Sequence, residues 1–245
     1  MSLPPAQLVA LDEVAGFAYY MGSEASCREQ RHLYRVPLDG SAAPERLTTR
    51  AGFHGSARGG GLAVAHDGST FVDQSSASDR PMQAELCAMP PATDATGAAA
   101  GAAAGAAAGA APPTTLYDAR QSDPRVESMA GVLRPPEFIE LPSTDGLVTL
   151  RAALYVPDAA RFGSGPHPTV VSCYGGPHVQ FVQDSWAMAT ADMQAQFLRS
   201  QGYLVVKCDN RGSHRQGLAF EAAIRGKLGE LEVRSPPPST SGLHV

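Results

Sequence analysis

The chain has 245 residues, 43% of them hydrophobic, which is enough for one large core or two small ones. Its net charge is -5, from 19 basic and 24 acidic residues, with no dense Lys/Arg patch to neutralise phosphates, so a nucleic-acid partner is excluded. The N-terminus has no basic stretch followed by an apolar run, and the uncharged stretch at 95–115 is Ala/Gly rather than Leu/Ile/Val; a signal peptide and a membrane span are not expected.

Residues 1–92 read as short strands joined by polar turns. FAYYM (17–21), HLYRVPL (32–38), ERLTT (45–49), GLAVA (61–65), TFVDQ (70–74) and AELCAM (84–89) are the candidates, with Asp39-Gly40 and Asp67-Gly68 as turns. Regularly spaced short strands of this kind predict an all-β blade arrangement. Residues 93–113 are low-complexity. Glycine at every fourth position weakens an alanine helix by about 1 kcal/mol each, and no large side chain is present to repay ordering entropy, so a disordered insert is expected.

From residue 114 to 234 the pattern changes. FIEL (138–141) and LVTLRAALY (147–155) predict an antiparallel pair across Thr144-Asp145-Gly146. TVVSC (169–173) and YLVVKC (203–208) are continuous apolar runs, expected to be strands buried on both faces. Between them, 185–200 has helical spacing, and Gly202 is placed to cap it. Strand, helix and strand with short joins predict a parallel βαβ unit. Four cysteines are scattered without a C-x-x-C pair, and Cys173 and Cys208 read as small buried hydrophobes.

The chemistry concentrates in Tyr174-Gly175-Gly176-Pro177, immediately after the 169–173 strand. Two glycines let the backbone turn sharply there, and in an α/β hydrolase the loop after this strand supplies part of the oxyanion hole. A tyrosine hydroxyl can donate to an oxygen that becomes negative during acyl transfer; the alternative is a packed aromatic at a strand end. No serine here has the flanking glycines of a G-x-S-x-G elbow. Ser172 and Ser213 are weak alternatives as nucleophiles. His178 lies near the loop but lacks a triad partner in the sequence. No Cys/His motif suggests a metal site, and no cofactor motif is present.

HPTVVSCYGGPHVQ, GYLVVKCDNRGS and GLAFEAAIRGKLGELEV, in that order, resemble the dipeptidyl peptidase IV branch of the prolyl oligopeptidase (S9) family; HLYRVPLDG, ERLTT and HDGSTFVDQSSASDRPMQAELC resemble the end of its β-propeller. The resemblance covers roughly 17–91 and 135–234. It implies a mixed fold: C-terminal strands of a β-propeller (1–92), the insert (93–113), the N-terminal half of an α/β-hydrolase domain (114–234) and an unrelated Pro/Ser-rich tail (235–245). It implies a serine peptidase that releases N-terminal dipeptides after Pro or Ala, with a peptide substrate, no cofactor and a homodimer open to the full-length parent. Tyr174 then matches the oxyanion tyrosine, Gly175, Gly176 and Pro177 the turn that aims it, and Arg211 a structural residue that holds its loop by ion pairing. Against the family, the triad Ser, Asp and His and the paired glutamates that bind the substrate amine are missing from these residues. The expectation is a cytoplasmic, inactive fragment ending before the catalytic serine; the alternative is a non-catalytic peptide-binding or regulatory product.

Overall fold

The computed structural model describes residues 7–56, 61–91 and 112–234. Most of the Ala/Gly insert and the whole of the Pro/Ser-rich tail lie outside the described residues.

Among the described residues the first sheet has nine strands. They are β1 (Gln7–Asp12), β2 (Phe17–Glu24), β3 (Cys27–Pro37), β4 (Glu45–Arg46), β5 (Phe53–His54), β6 (Leu62–Val64), β7 (Thr70–Ala77), β8 (Arg80–Ala88) and β9 (Thr114–Asp118). The main path is β1-β2-β3-β5-β7-β8-β9, with β4 on β3 and β6 on β7. Alternation places Tyr19, Met21, Leu33 and Phe71 in one buried cluster, while Tyr20 and Tyr34, opposed across β2 and β3, stack at 5.5 Å on the other face. Three strands were not evident in the sequence: β1, β5 and β9. The last shifts a boundary. Thr114–Asp118 pairs antiparallel with β8 and belongs to this sheet, not to the following region; its exposed TTLYD reads as weakly amphipathic, and only the ladder to β8 defines it. Two short helices follow, α1 (Ala119–Ser122) and α2 (Pro124–Ser128).

The second sheet has four strands among the described residues, in the order β10-β11-β13-β12. These are β10 (Glu137–Pro142), β11 (Thr149–Tyr155), β12 (Thr169–Cys173) and β13 (Leu204–Cys208), with α3 (Ala159–Phe162) before β12. β10 and β11 pair antiparallel across the Ser143–Gly146 turn, and β12 and β13 are parallel, as the sequence predicts. Leu150, Ala152, Leu154, Leu204 and Val206 fill one face; Ala153, Tyr155 and Val205 pack with Val182 and Ala195 on the other. β13 is buried throughout. β12 is not: it is the sheet's edge strand, Val171 is 49% exposed and Cys173 is exposed. The expectation of burial on both faces therefore fails for β12, because an apolar run reports only what could be covered.

The predicted helix over 185–200 is shorter. Residues 185–191 form turns, and α4 spans Met193–Ser200. Asp192 starts it by accepting the Ala195 N–H at 3.1 Å. At the other end Gly202 N–H donates to Arg199 O and Tyr203 N–H to Leu198 O, both at 3.1 Å, with Gly202 at φ +91°. This is a Schellman cap. A Cβ on Gly202 would stand 2.9 Å from the Phe162 ring. Gly202→Ala is therefore expected to destabilise the chain by about 1–3 kcal/mol, read as a lowered urea midpoint; an unchanged midpoint would remove the cap from the account. Two more helices close the described chain, α5 (Leu218–Ala222) and α6 (Leu231–Arg234). No helix among the described residues is long and apolar enough to cross a membrane.

The segment after β12 docks the two sheets together through polar bonds. Asp184 accepts the Ser78 N–H at 2.8 Å and donates its own N–H to Glu29 O at 2.8 Å. Gln180 donates to Arg28 O at 2.7 Å, and Trp186 N–H donates to Ser76 Oγ at 3.2 Å. Asp184 and Gln180 are buried, so each of these bonds is costly to lose.

Candidate active-site segment

Tyr174 stands at the C-terminal end of β12, 55% exposed. Its hydroxyl makes no hydrogen bond among the described residues, so the donor is uncommitted. The turn beneath it is built rather than loose. Gly175 adopts φ +76°, and its N–H donates to Asn210 Oδ1 at 3.2 Å. A Cβ at Gly176 would meet the Tyr174 ring at 2.8 Å, so a side chain there would displace the tyrosine. Pro177 then leads to His178, whose N–H donates to Gly212 O at 3.3 Å.

The turn after β13 supplies the other half of this support. Asn210, 1% exposed, also donates from Nδ2 to Arg211 O at 2.6 Å. Asp209 is fully buried and its Oδ1 accepts the N–H groups of Phe181 at 2.6 Å and Val182 at 3.2 Å. Burial pushes its carboxyl up to about 7, against the opposing pull of those two amides and the Lys207 ammonium. Arg211 reaches back to the β10–β11 turn and pairs with Asp145 at 2.7 Å. The Ser143 hydroxyl, then Arg211 and the Leu147 N–H, hold Asp145 down at about 2. Arg211 is thus tied into the scaffold by an ion pair.

The remaining candidates separate clearly. Ser213 is buried at 1% exposure, and no histidine bonds it or Ser172 among the described residues. Both sit where an acyl-transfer nucleophile would lack a base. The sequence reading missed one cluster. His178, His214 and Glu221 each offer a ligand atom, all within 4.8 Å of one another. They come from three elements and share no short-range spacing, so no motif could announce them. It also missed Asn210 as the brace of the tyrosine loop; its place inside DNRGS was the available signal.

Comparison with known proteins gives these positions a context. The sequence profile of the Prolyl oligopeptidase family matches residues 189–235. The chain is 29% identical over 225 residues to dipeptidyl peptidase 8 of Homo sapiens, covering 92% of this chain and 22% of that protein. Against dipeptidyl peptidase 8 of Mus musculus it is 41% identical over 99 residues, 40% of this chain and 11% of the relative. Against the probable dipeptidyl-aminopeptidase B of Aspergillus oryzae it is 28% identical over 232 residues, 91% of this chain and 21% of the relative. The chain spans about a fifth of the length of the curated relatives it matches along most of its own length. The tyrosine turn after a sheet strand and these matches agree: the chain is similar over most of its length to dipeptidyl peptidases, and over residues 189–235 to the prolyl oligopeptidase family.

Proposed function

We propose that this chain is the oxyanion-donor portion of a serine dipeptidyl peptidase. In this reading the nine-stranded sheet is the end of a β-propeller, and the four-stranded sheet is the first half of an α/β-hydrolase domain. The observation that carries it is Tyr174: exposed at a strand end, with an uncommitted hydroxyl, on a turn held by the bond from Gly175 to Asn210. Such a hydroxyl suits an oxygen that gains negative charge as an acyl group is attacked. Pro177 and the two glycines keep the ring aimed; Arg211, through Asp145, keeps the neighbouring turn in place. The nucleophile, its base and its orienting acid come from residues outside these 245, since none of the serines here stands in a G-x-S-x-G elbow. The substrate class is a peptide whose N-terminal dipeptide ends in Pro or Ala, and no cofactor is required.

The test has two arms. Alone, the chain should neither take a fluorophosphonate label nor release p-nitroaniline from Gly-Pro-p-nitroanilide. Supplied in trans with the downstream half of a family hydrolase domain, carrying the elbow serine, Asp and His, it should gain turnover. In that complemented enzyme Tyr174→Phe should lower kcat by about 10²-fold with KM little changed, the loss typical of one oxyanion donor. Labelling of the chain alone, or full kcat in the Phe variant, would sink the proposal.

A further inference from the structure

We propose that His178, His214 and Glu221 form a site for a divalent transition metal, zinc being the best fit, that clamps the tyrosine loop to the turn after β13. One ligand atom from each residue lies within 4.8 Å of the other two, and His214 Nδ1 is 3.1 Å from Glu221 Oε2. Four-coordinate zinc binds nitrogen and oxygen at about 2.0–2.2 Å, which sets its ligand atoms about 3.3 Å apart. From separations of up to 4.8 Å, closing onto that geometry asks the ligand atoms to approach by about 1.5 Å at most. Two imidazoles and one carboxylate are a borderline donor set that suits zinc and its neighbours and disfavours magnesium and calcium. Three protein ligands leave one position for water.

The backbone holds these residues together without help from a metal. His178 N–H donates to Gly212 O and His214 N–H donates to Val179 O, each at 3.3 Å, so two bonds stitch the loop to the turn that carries the second histidine. Glu221 sits on α5, and its Oε1 accepts the Arg215 N–H at 2.9 Å. That bond orients the carboxylate and leaves Oε2 facing the histidines, as second ligand-orienting bonds do in metal sites. The Arg215 guanidinium, which feels the Glu221 carboxylate, lies over the Phe53 ring at 5.2 Å and donates to Gln180 Oε1 at 3.4 Å rather than to Glu221 Oε2. The site is accessible, because His178 is exposed and His214 and Glu221 are partly so. His178 follows Tyr174 by four positions. Metal occupancy would therefore restrict the loop that carries the tyrosine, whatever chemistry the tyrosine performs.

The experiment uses the full chain stripped with EDTA and titrated calorimetrically with zinc sulfate. One equivalent is expected to bind, with no heat from magnesium chloride. His178→Gln and His214→Gln should each weaken zinc binding at least tenfold, whereas His167→Gln and the exposed-thiol variant Cys173→Ser should bind as the parent does. Zinc should raise the thermal midpoint of the parent chain and not that of His178→Gln. Since His178 is exposed, that variant decides the matter even if His214→Gln is misfolded by circular dichroism. Absence of a zinc equivalent in the parent chain, or unchanged affinity in His178→Gln, overturns the site. Neither result depends on peptidase activity, so failure here is distinguishable from failure of the function proposed above.

Discussion

Asp192→Asn is expected to cost about 3–5 kcal/mol, the usual penalty for leaving one partner of a buried ion pair alone. Lys207 lies inside β13 with its side chain 2% exposed, and Asp192 Oδ2 sits 2.9 Å from its ammonium. The ammonium also donates to Met188 O at 2.6 Å and lies 4.2 Å over the Phe181 ring. Neither of these is a countercharge, and Asp209, the other carboxyl that the ammonium acts on, is itself pushed up to about 7 by burial. Asparagine is nearly as good an N-cap as aspartate, so its amide oxygen can still accept the Ala195 N–H and α4 keeps its start. The substitution therefore isolates the charge. Lys207→Met should cost less, because Asp192 is 22% exposed and can stay hydrated. The double variant should be more stable than Asp192→Asn alone, since it removes the stranded ammonium. Urea midpoints of the three variants check this; a loss under 1 kcal/mol in Asp192→Asn would show that the pair matters little.

The second large effect is a pH dependence made of two opposing parts. His32 is 1% exposed in the first sheet. Burial, then the nearby His54 ring at 5.0 Å and Arg46, push its imidazole down from 6.5 to about 3. Its hydrogen bonds fit the neutral ring: Nε2 lies 3.2 Å from Gln30 Oε1, and Nδ1 lies 3.1 Å from the Thr48 hydroxyl. In the unfolded chain it takes a proton near pH 6.5, so its contribution is full above that pH and is lost as pH falls towards 3. Asp209 works the other way. Its carboxyl rises from 3.8 to about 7, so the unfolded chain ionises first, and stability is lost as pH rises from about 4 through 7. Each group alone gives a slope of about 1.4 kcal/mol per pH unit. Between pH 4 and 6.5 the slopes oppose, and the parent chain should show a nearly flat urea midpoint from these two groups. His32→Gln should leave the Asp209 slope exposed, with stability falling by about 3 kcal/mol across that window as pH rises. Asp209→Asn should show the opposite sign, stability rising with pH by a similar amount. Matching flat profiles in both variants would refute the pair.

Lys207 stands in YLVVKC, an apolar run that predicted a buried strand, and β13 is one. The run could not say that the lysine inside it is held by Asp192, which lies 15 positions earlier at a helix start. Likewise His32 and Asp209 read as an ordinary strand residue and an ordinary turn residue. Their shifted ionisation comes from surroundings gathered across the fold.

Local pattern by itself determined the strand pairs on either side of Asp145-Gly146, the parallel placement of β12 and β13, the cap at Gly202 and the turn that carries Tyr174. The parallel placement follows from the strand–helix–strand order; the others rest on neighbours within a few positions, where backbone preference and hydrophobic period act directly. It also carried the family resemblance, through motifs in a fixed order. Tertiary structure alone decided that β12 is a half-exposed edge, that Thr114–Asp118 joins the first sheet, and that Asn210 braces Gly175. It alone brought His178, His214 and Glu221 to one point. The physical reason is the same in each case: burial, register and charge pairing depend on what the rest of the chain places alongside a residue, and that information is spread over positions far apart in the sequence.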